Sequence, residues 1–578
     1  MSRIDKLATL VLLAVSSPAW AVNDKKKAKD LPPTSSQLVS VIVQFDGKPS
    51  NTAKQAMKDL GIKLNQELDD LDMIVAELPV SLIDTLSDDP TVKYISPNRG
   101  VRPNLDYATP SVNATTSYAS TWTGEGVGIA VIDSGVTVLH SDLQGRVVYS
   151  ESFVGDGLPA LDTFGHGSHV AGIAAGNGAS STGKSPTGGV YTRTFRGIAP
   201  KANLINLKVL DGSGAGTVVG VLSAISRAIA LQKTHNIRVL NLSLGHPVYE
   251  SYLLDPLSTA VEKAWKAGIV VVVAAGNDGR NDAFRNSGYG TINSPANSPY
   301  VITVGAMKTL GTATRNDDQI ASYSSKGPTA IDRIVKPDLV APGNRMVSLR
   351  ALSTWFSDKF ADNGVPVSYY STSTSDYSSR SYLKLSGTSM AAPVVSGAAA
   401  LMFQKDRNLT PDQVKIRLMK TASKAFPATS VAVDPTTGVT YSSQYDLFTV
   451  GAGYVDIDAA LRSTDSPKGS AVSPAAALNS KTGKVEVIVP RSVVWGDTAK
   501  YGLSVVWGDM RFLKGTSVVW GDSVVWGDRT ASGFSVVWGD TSPWGTSVVW
   551  GDSTSLKLNS LTGIFSPESL NVAIHGEK

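Results

Sequence analysis

The chain has 578 residues, of which 42% are apolar, and a formal net charge of +4. This length exceeds one ordinary domain, and a weak charge without a dense Lys/Arg block argues against a nucleic-acid partner. The sequence contains 53 glycines, as expected for many tight turns, and no cysteine, which excludes disulfides, thiol catalysis and cysteine-ligated metals.

The first residues have the pattern of a secretion signal. Arg3 and Lys6 form a basic start, residues 7–15 are apolar, and Ala-Trp-Ala at 19–21 fits a cleavage site. The apolar stretch is too short to span a bilayer, and no later segment has the length and lack of charge of a transmembrane helix. We therefore expect a signal peptide at 1–21 and a secreted, extracellular protein, with the periplasm or the cell surface as alternatives.

A small α+β unit is predicted next. Residues 22–37 are polar and contain prolines, which is typical of a linker. Strand patterns follow at 39–45, 73–78 and 92–95, and helical spacing separates them at 52–60 and 80–86. These elements define a domain at 38–104, which by pattern alone could be any small α+β domain.

A larger α/β domain is predicted at 105–465. Several strand candidates are apolar at consecutive positions, as expected when helices cover both faces of a parallel sheet. This pattern predicts a doubly wound, mostly parallel sheet with ligands at the carboxyl ends of its strands. The predicted strands lie at 127–132, 204–210, 239–244, 269–275 and 301–304, and the helices between them at 166–175, 218–233 and 257–267.

The region 466–578 is repetitive. Ser-Val-Val-Trp-Gly-Asp occurs six times, starting at residues 492, 504, 517, 523, 535 and 547. Three strand-forming residues before a Gly-Asp turn predict β-rich structure, either short hairpins or stacked rungs. Its role stays open between an aromatic core, a tryptophan row that binds a surface polymer, and calcium binding by the repeated aspartates.

Three motifs carry the chemistry. Asp-Ser-Gly at 133–135 follows a strand candidate, His-Gly-Ser-His-Val-Ala-Gly lies at 166–172, and Gly-Thr-Ser-Met-Ala-Ala-Pro lies at 387–393. A serine hydroxyl is a poor nucleophile at neutral pH. It needs a base, and the base needs a carboxylate to hold its tautomer. Asp133, His166 and Ser389 supply these three groups.

Together and in this order, the motifs resemble those of the subtilisin-like serine proteases, the subtilases of peptidase family S8. The resemblance implies a subtilisin-like fold and a serine endopeptidase that cleaves polypeptides through an acyl-enzyme without a required cofactor. One residue departs from the family pattern, since Ser168 stands where threonine is usual.

The resemblance also implies further site residues. Asn277, after the apolar run before it, matches the side chain that donates a second hydrogen bond to the oxyanion. Ser243, Leu244 and Gly245 match the strand that pairs with the substrate backbone. His246 and the proline after it depart from the family pattern, because small residues are common there.

The domain at 38–104 is similar in position to the family's inhibitory prodomain. A broad-specificity protease must stay silent until export, and a large parallel sheet folds slowly because its contacts are non-local. A covalently attached partner at high effective concentration can block the cleft and template folding. We therefore expect the chain to be a precursor inhibited by its own prodomain, with cleavage between residues 97 and 110.

Two metal sites are considered. Asp142 resembles a carboxylate that helps to hold structural calcium in some subtilases, with further ligands expected from the enlarged loop at 177–196. His169 lies three residues after His166 on nearly the same helical face, so a two-histidine site is conceivable, although no glutamate completes it nearby. No metal ligand is assigned.

Two other functions compete with the endopeptidase. The first is a non-catalytic surface protein that binds a polymer through its Trp-Gly-Asp tail. The intact triad and Asn277 argue against it, because such a scaffold has no chemical need for them. The second is a serine-carboxyl peptidase, which shares a Gly-Thr-Ser signature but replaces the histidine with an acid, and His166 argues against it.

Overall fold

The computed structural model describes residues 26–27, 31, 37–68, 72–97, 105–114, 122–184, 189–281, 286–372, 378–467, 469–479, 484–488, 518–520, 536–538 and 567–577. The expected signal peptide at 1–21, most of the linker and most of the repeats lie outside these residues. The chain divides into two compact units, Met1–Arg102 and Pro103–Lys578.

The first unit is a four-stranded antiparallel sheet with short helices. Its sheet order is β2-β3-β1-β4, and its core includes Val41, Met57 and Ile83. The strand β2 was not expected, because its sequence Lys-Leu-Asn-Gln-Glu-Leu is mostly polar. The elements are β1 (Leu38–Phe45), α1 (Asn51–Asp59), β2 (Lys63–Leu68), β3 (Met73–Pro79), a 3-10 turn (Val80–Leu82), α2 (Ile83–Ser87) and β4 (Val92–Pro97).

The second unit is built on an eight-stranded sheet, and the predicted α/β class is confirmed. Its order is β11-β10-β9-β8-β5-β7-β6, with β12 also paired to β10, and all neighbours are parallel except β10 and β11. The strands are β5 (Gly128–Asp133), β6 (Val147–Ser152), β7 (Asn203–Lys208), β8 (Ile237–Leu242), β9 (Val270–Ala274), β10 (Ile302–Lys308), β11 (Gln319–Ile320) and β12 (Leu339–Pro342).

Helices cover both faces of this sheet. Every residue of β5 and β9 is buried, and because consecutive residues point to opposite faces, neither face is open to solvent. One helix pair, α4 with α8, and another, α5 with α6, pack against the strands. The helices are α3 (Leu105–Ser111), α4 (His166–Ala175), α5 (Val218–Leu231), α6 (Pro256–Lys266), α7 (Trp355–Lys359), α8 (Thr388–Lys405), α9 (Pro411–Thr421), α10 (Leu447–Val450), α11 (Ile457–Arg462) and α12 (Pro567–His575).

Smaller antiparallel pairings complete the unit. A three-stranded sheet has the order β13-β15-β14, and two hairpins join β16 to β17 and β18 to β19. These strands are β13 (Met346–Leu349), β14 (Gly364–Pro366), β15 (Ser378–Leu385), β16 (Thr429–Val433), β17 (Thr440–Gln444), β18 (Ala475–Asn479) and β19 (Lys484–Ile488). No helix in the described part of the chain is long and apolar enough to cross a membrane.

Two copies of the repeat are partly described. Their strands, β20 (Val518–Trp520) and β21 (Val536–Trp538), pair in parallel, so that Trp520 lies opposite Trp538. The strands of a hairpin are antiparallel, whereas stacked rungs are parallel and in register. This pairing therefore favours rungs for these two copies, and the other copies lie outside the described residues.

Candidate active site

Asp133 and His166 form a buried hydrogen-bonded pair at the carboxyl end of the sheet. Asp133 is the last residue of β5, His166 is the first residue of α4, and each is 1% exposed. His166 Nδ1 lies 2.8 Å from Asp133 Oδ1. Because an ionised carboxylate only accepts, this contact puts the imidazole proton on Nδ1 and leaves Nε2 as the basic nitrogen.

A second carboxylate, Asp162, holds the start of helix α4. Its Oδ1 accepts from the N–H groups of Gly165 and Phe164 and from the Ser134 hydroxyl, and its Oδ2 accepts from Ser168 N–H at 2.8 Å. Burial raises the pKa of Asp162, and the hydrogen bonds from Ser168, Gly165 and Ser134 oppose that rise. The carboxylate therefore satisfies the Ser168 N–H in the first turn of α4, which would otherwise lack a partner, and holds the turn that leads into His166.

Glycine at position 167 lets α4 approach β5 closely. A Cβ there would lie 2.2 Å from the Gly135 carbonyl oxygen and 3.1 Å from Asp133 Cβ, so a side chain would push the two elements apart. The Gly167 N–H donates to the Ser134 hydroxyl at 2.9 Å, which continues to Asp162. The glycine of the His-Gly-Ser-His motif is thus required by the contact that brings His166 to Asp133.

Ser389 lies in the first turn of α8 and is tied to the end of β8. Its hydroxyl donates to the Ser243 carbonyl at 3.2 Å, and the Ser243 hydroxyl donates to the Ser389 carbonyl at 2.8 Å. In the sheet, Ile132 of β5 pairs with Leu242 of β8. The residues that follow them, Asp133 and Ser243, therefore emerge side by side at about the 4.8 Å spacing of neighbouring strands. This register brings Ser389 to the edge that carries the Asp133–His166 pair.

Asn277 follows β9 and is locked by the residue before the serine. Its Oδ1 accepts from the Thr388 N–H at 2.9 Å and from the Thr388 hydroxyl at 3.0 Å. The oxygen is thereby fixed, and in the described part of the chain no acceptor takes the Asn277 amide hydrogens or the Ser389 N–H.

These two donors flank one point beside Gly387. A Cβ on Gly387, which has a φ of +143°, would lie 3.2 Å from Asn277 Nδ2 and 3.7 Å from Ser389 N. The absence of a side chain at this position therefore leaves a space that both N–H donors border. Such a space suits an oxygen that carries negative charge.

The segment after β8 offers an unused strand edge. Among the described residues, none forms a hydrogen bond with the backbone of Leu244 or Gly245. At the next residue, the His246 N–H donates to the Ser294 carbonyl and the Ser294 N–H donates to the His246 carbonyl. Free N–H and C=O groups in an extended segment can pair with an added strand. The His246 ring stacks on Tyr249, which is 70% exposed, at 5.9 Å, so the unexpected histidine builds an aromatic edge beside this segment.

His169 does not form a metal site with His166. Its Nε2–H donates to the carbonyls of Met346 and Leu383, at 3.0 and 3.2 Å, which directs the ring toward β13 and β15. Burial, with a smaller contribution from the charge of His166, lowers the pKa of His169 to about 3. No group of three or more His, Cys, Asp or Glu side chains among the described residues could hold a metal ion.

The surroundings of Asp142 do not fit the expected calcium ligand. Its carboxylate accepts from the Ser180 N–H at 2.7 Å and from the Tyr382 hydroxyl at 2.8 Å. The Arg146 guanidinium donates to the backbone carbonyls of Asp142 and Ala175. Calcium needs six to eight oxygen ligands, and here hydrogen-bond donors and a guanidinium take the oxygens that would supply them. Asp142 is therefore a hydrogen-bonded core carboxylate, and the described residues around it do not fit the calcium ligand that the resemblance suggests.

Sequence reasoning missed Asp162. An acidic residue just before a predicted helix is a helix-start signal, and that signal could have identified it. Ser168, which departs from the family pattern, keeps a hydroxyl function, because its Oγ accepts from the Thr137 N–H at 2.9 Å.

Comparisons with known proteins identify the family of this chain. The profile of the subtilase family, peptidase S8, matches residues 124–453, more than half of the chain. The chain is 37% identical over 390 residues to serine protease AprX of Bacillus subtilis (strain 168), which covers 65% of this chain and 81% of that protein.

Two further relatives are subtilisins. Subtilisin DY of Bacillus licheniformis is 35% identical over 319 residues, 55% of this chain and 92% of that protein. Subtilisin E of Bacillus subtilis (strain 168) is 32% identical over 375 residues, 64% of this chain and 80% of that protein. The chain therefore belongs to the subtilase family and is a serine-type endopeptidase.

Proposed function

We propose that the chain is a secreted endopeptidase that cleaves polypeptides with Asp133, His166 and Ser389 and is made as a self-inhibited precursor. The observation that carries this proposal is the buried 2.8 Å contact between His166 Nδ1 and Asp133 Oδ1, at the sheet edge where Ser389 also lies. The carboxylate orients the imidazole and stabilises its protonated form.

The proposed reaction begins with a proton transfer. The Ser389 hydroxyl leaves the Ser243 carbonyl, gives its proton to His166 Nε2, and its oxygen attacks the scissile carbonyl carbon. The protonated His166 then passes the proton to the departing amine, which leaves an ester on Ser389. Water, deprotonated by the same imidazole, attacks this ester. The acid product departs, and the protonated imidazole returns its proton to the Ser389 oxygen, which restores the free serine.

Two donors would stabilise the oxyanion of each tetrahedral intermediate. The Ser389 N–H and the Asn277 amide border the same space, and the partial positive charge of the α8 N-terminus adds to their effect. Because Thr388 already fixes the Asn277 oxygen, the amide is preorganised and needs little rearrangement during the reaction.

Substrate would bind as an added strand. The backbone of Leu244 and Gly245 supplies the pairing groups, and the Ser243 carbonyl is released as an acceptor when the Ser389 hydroxyl turns away. Main-chain pairing of this kind binds many sequences, so we propose polypeptide substrates of broad sequence.

We further propose that residues 38–104 are the inhibitory prodomain and residues 1–21 the signal peptide. Support for the prodomain comes from the first compact unit, which has its own sheet and its own core and precedes the catalytic motifs. The predicted signal pattern supports export. The polymer-binding alternative has no specific observation in its favour, and we do not propose it.

The test compares the wild type with Ser389→Ala. The wild-type chain should lose residues before about 105 and react with a fluorophosphonate probe, while Ser389→Ala should do neither, because both events need the serine oxygen. Mass spectrometry of the purified chains reads both results. Equal processing of the two chains would show that another protease makes the cut.

A further inference from the structure

The segment that follows the repeats packs into the second unit. It consists of α12 (Pro567–His575) and the two residues after it, Gly576 and Glu577. Val572 and Ala573 are 1% and 2% exposed and belong to the same core as the central sheet. The Asn363 side chain donates to the Ile574 carbonyl at 2.8 Å. This segment is thus part of the packed interior of the unit.

Glu577 occupies a buried socket that we define by Arg280, Lys308, Ser322 and Asn344. One carboxylate oxygen accepts from Arg280 Nη2 and from the Ser322 N–H, both at 2.9 Å, and the other lies 3.1 Å from Lys308 Nζ. The Asn344 side chain binds the Glu577 backbone twice, at 2.8 Å to its N–H and at 2.8 Å to its carbonyl. The socket therefore recognises both the charge and the backbone of one residue.

The charges of the socket require a carboxylate. The side chains of Lys308 and Arg280 are 2% and 4% exposed. Arg280 has a second partner in Asp434 at 2.6 Å, whereas Glu577 is the ion-pair partner that the described residues give to Lys308. Removing one member of a buried ion pair leaves a charge that is strongly disfavoured in the interior. The docked segment is consequently held by more than apolar packing.

The segment also contacts the strand that leads to the proposed nucleophile. The Ser386 N–H donates to the Ala573 carbonyl at 3.0 Å, and the next residue, Gly387, donates to the Gly343 carbonyl at 2.8 Å. Gly343 precedes Asn344, which binds Glu577. Two short paths therefore link the segment to the turn before Ser389.

We propose that residues 567–577 are a docked segment, which stays bound to the rest of the second unit even when the chain is cut within the repeats. Glu577 is a positioning residue for the turn at 386–389. The partner surface is the Glu577 socket, and its ligand is this segment of the same chain. The chain before the repeats is also fixed, because Pro474 and Ala476 pair with Val335 and Arg333 at 2.8 Å. The repeats are thus tethered at both ends, and a cut within them gives a two-chain protein.

Docking is tested in a Ser389→Ala background, so that its outcome does not depend on the proposed activity. A recognition sequence for an unrelated site-specific protease is inserted between Asp540 and Thr541, so that the paired strands β20 and β21 stay on the same side of the cut, and the cut protein is separated by native size exclusion. The fragment that carries 567–577 should co-elute with the rest of the chain. Glu577→Ala should release it, while His575→Gln, at an exposed position of the same helix, should not.

Release of the fragment from the parent chain on cutting would overturn the docking proposal. If the Glu577→Ala variant retains the fragment as well as the parent chain does, the role given to the carboxylate is overturned.

The positioning role rests on the proposed function and is tested in the chain with Ser389 intact. Glu577→Gln should lower kcat about tenfold, equivalent to about 1.4 kcal/mol, with KM nearly unchanged, since the turn and not the substrate edge is disturbed. Glu125→Gln removes a surface carboxylate paired with Lys201 at 3.0 Å and should leave kcat unchanged. A wild-type kcat for Glu577→Gln would overturn the positioning role. Failure of the parent chain to react with a fluorophosphonate would instead refute the proposed function and leave the docking result standing.

Discussion

Replacing Asn277 with two different residues separates its donor role from its structural role. Asn277→Asp keeps an oxygen that can accept both Thr388 hydrogen bonds, at 2.9 and 3.0 Å in the native chain, but replaces the amide donor with a second oxygen. Asn277→Ala removes the donor and both of these bonds. The aspartate variant should therefore be the more stable of the two and the less active.

The magnitudes follow from the position of the amide at the space beside Gly387. Removing one oxyanion donor lowers kcat by about 100- to 1,000-fold in subtilisin, the enzyme in which that loss was established, and we expect the same range for Asn277→Ala. In Asn277→Asp, a carboxylate about 4 Å from the oxyanion adds a repulsion of about 4 kcal/mol at an effective dielectric constant of about 20. Its kcat should fall below that of the alanine variant.

The assay is steady-state cleavage of a chromogenic peptide, with active sites counted by a fluorophosphonate. KM should change little, because the donor contacts the intermediate more strongly than the bound substrate. Thermal unfolding of the same variants reports the loss of the Thr388 bonds. An aspartate variant more active than the alanine variant, or an alanine variant within threefold of wild type, would refute the role given to Asn277.

The remaining predictions concern stability and are measured by thermal or denaturant unfolding in the Ser389→Ala background, which prevents self-digestion. Asp162→Asn should cost about 1–3 kcal/mol, because an amide nitrogen replaces an acceptor of a buried N–H; a neutral result would contradict its role at α4. Burial lowers the pKa of His169 to about 3 in the native state, whereas an unfolded histidine has a pKa of about 6.5. Between these two values the unfolded state binds one more proton than the native state. The free energy of unfolding should therefore fall by about 1.4 kcal/mol per pH unit as the pH drops from 6 to 4. His169→Asn should lose this contribution to the slope, and exposed His575→Gln should retain it. Asp338→Asn should cost about 3–5 kcal/mol, since it leaves the fully buried Lys336 and Lys415, at 2.7 and 3.3 Å from the carboxylate, without their counter-charge; a change below 1 kcal/mol would contradict this.

The sequence predicted those parts of the fold that local pattern determines. The strands β5 and β9 are apolar at consecutive positions because both of their faces are covered, and that pattern is visible without coordinates. The strand β6 (Val147–Ser152) is only partly buried and contains two serines and a glutamate, so no comparable pattern marks it. Helix α8 begins at Thr388, directly after Gly387, whose φ of +143° is not helical.

The residues of the candidate site also divide into those that a local motif predicts and those that it does not. Asp133, His166 and Ser389 stand in motifs, and motifs are local. Asp162 lies in a coil, and its role depends on the turn that folds it back onto α4. The contact between Glu577 and Arg280 joins residues 297 positions apart, and a contact so distant in sequence leaves no local pattern that predicts it.

The calcium ligand expected at Asp142 shows how far a resemblance at a single residue can predict a site. Asp142 occupies the expected position in the sequence, but a resemblance at one residue does not specify the groups around it. Here Tyr382, 240 positions away, donates to the carboxylate at 2.8 Å, and Arg146 binds the backbone oxygen beside it. Whether the surroundings of Asp142 fit a calcium ion therefore depends on residues outside the motif.

A crystal structure of the chain after reaction with a fluorophosphonate tests the central claim most directly. We expect phosphorus on Ser389 Oγ, His166 Nε2 within hydrogen-bonding distance of that oxygen, and the phosphoryl oxygen about 3 Å from both Asn277 Nδ2 and Ser389 N. A label on another residue, or a His166 ring that bonds Asp133 but lies out of reach of Ser389 Oγ, would contradict the proposed catalytic site.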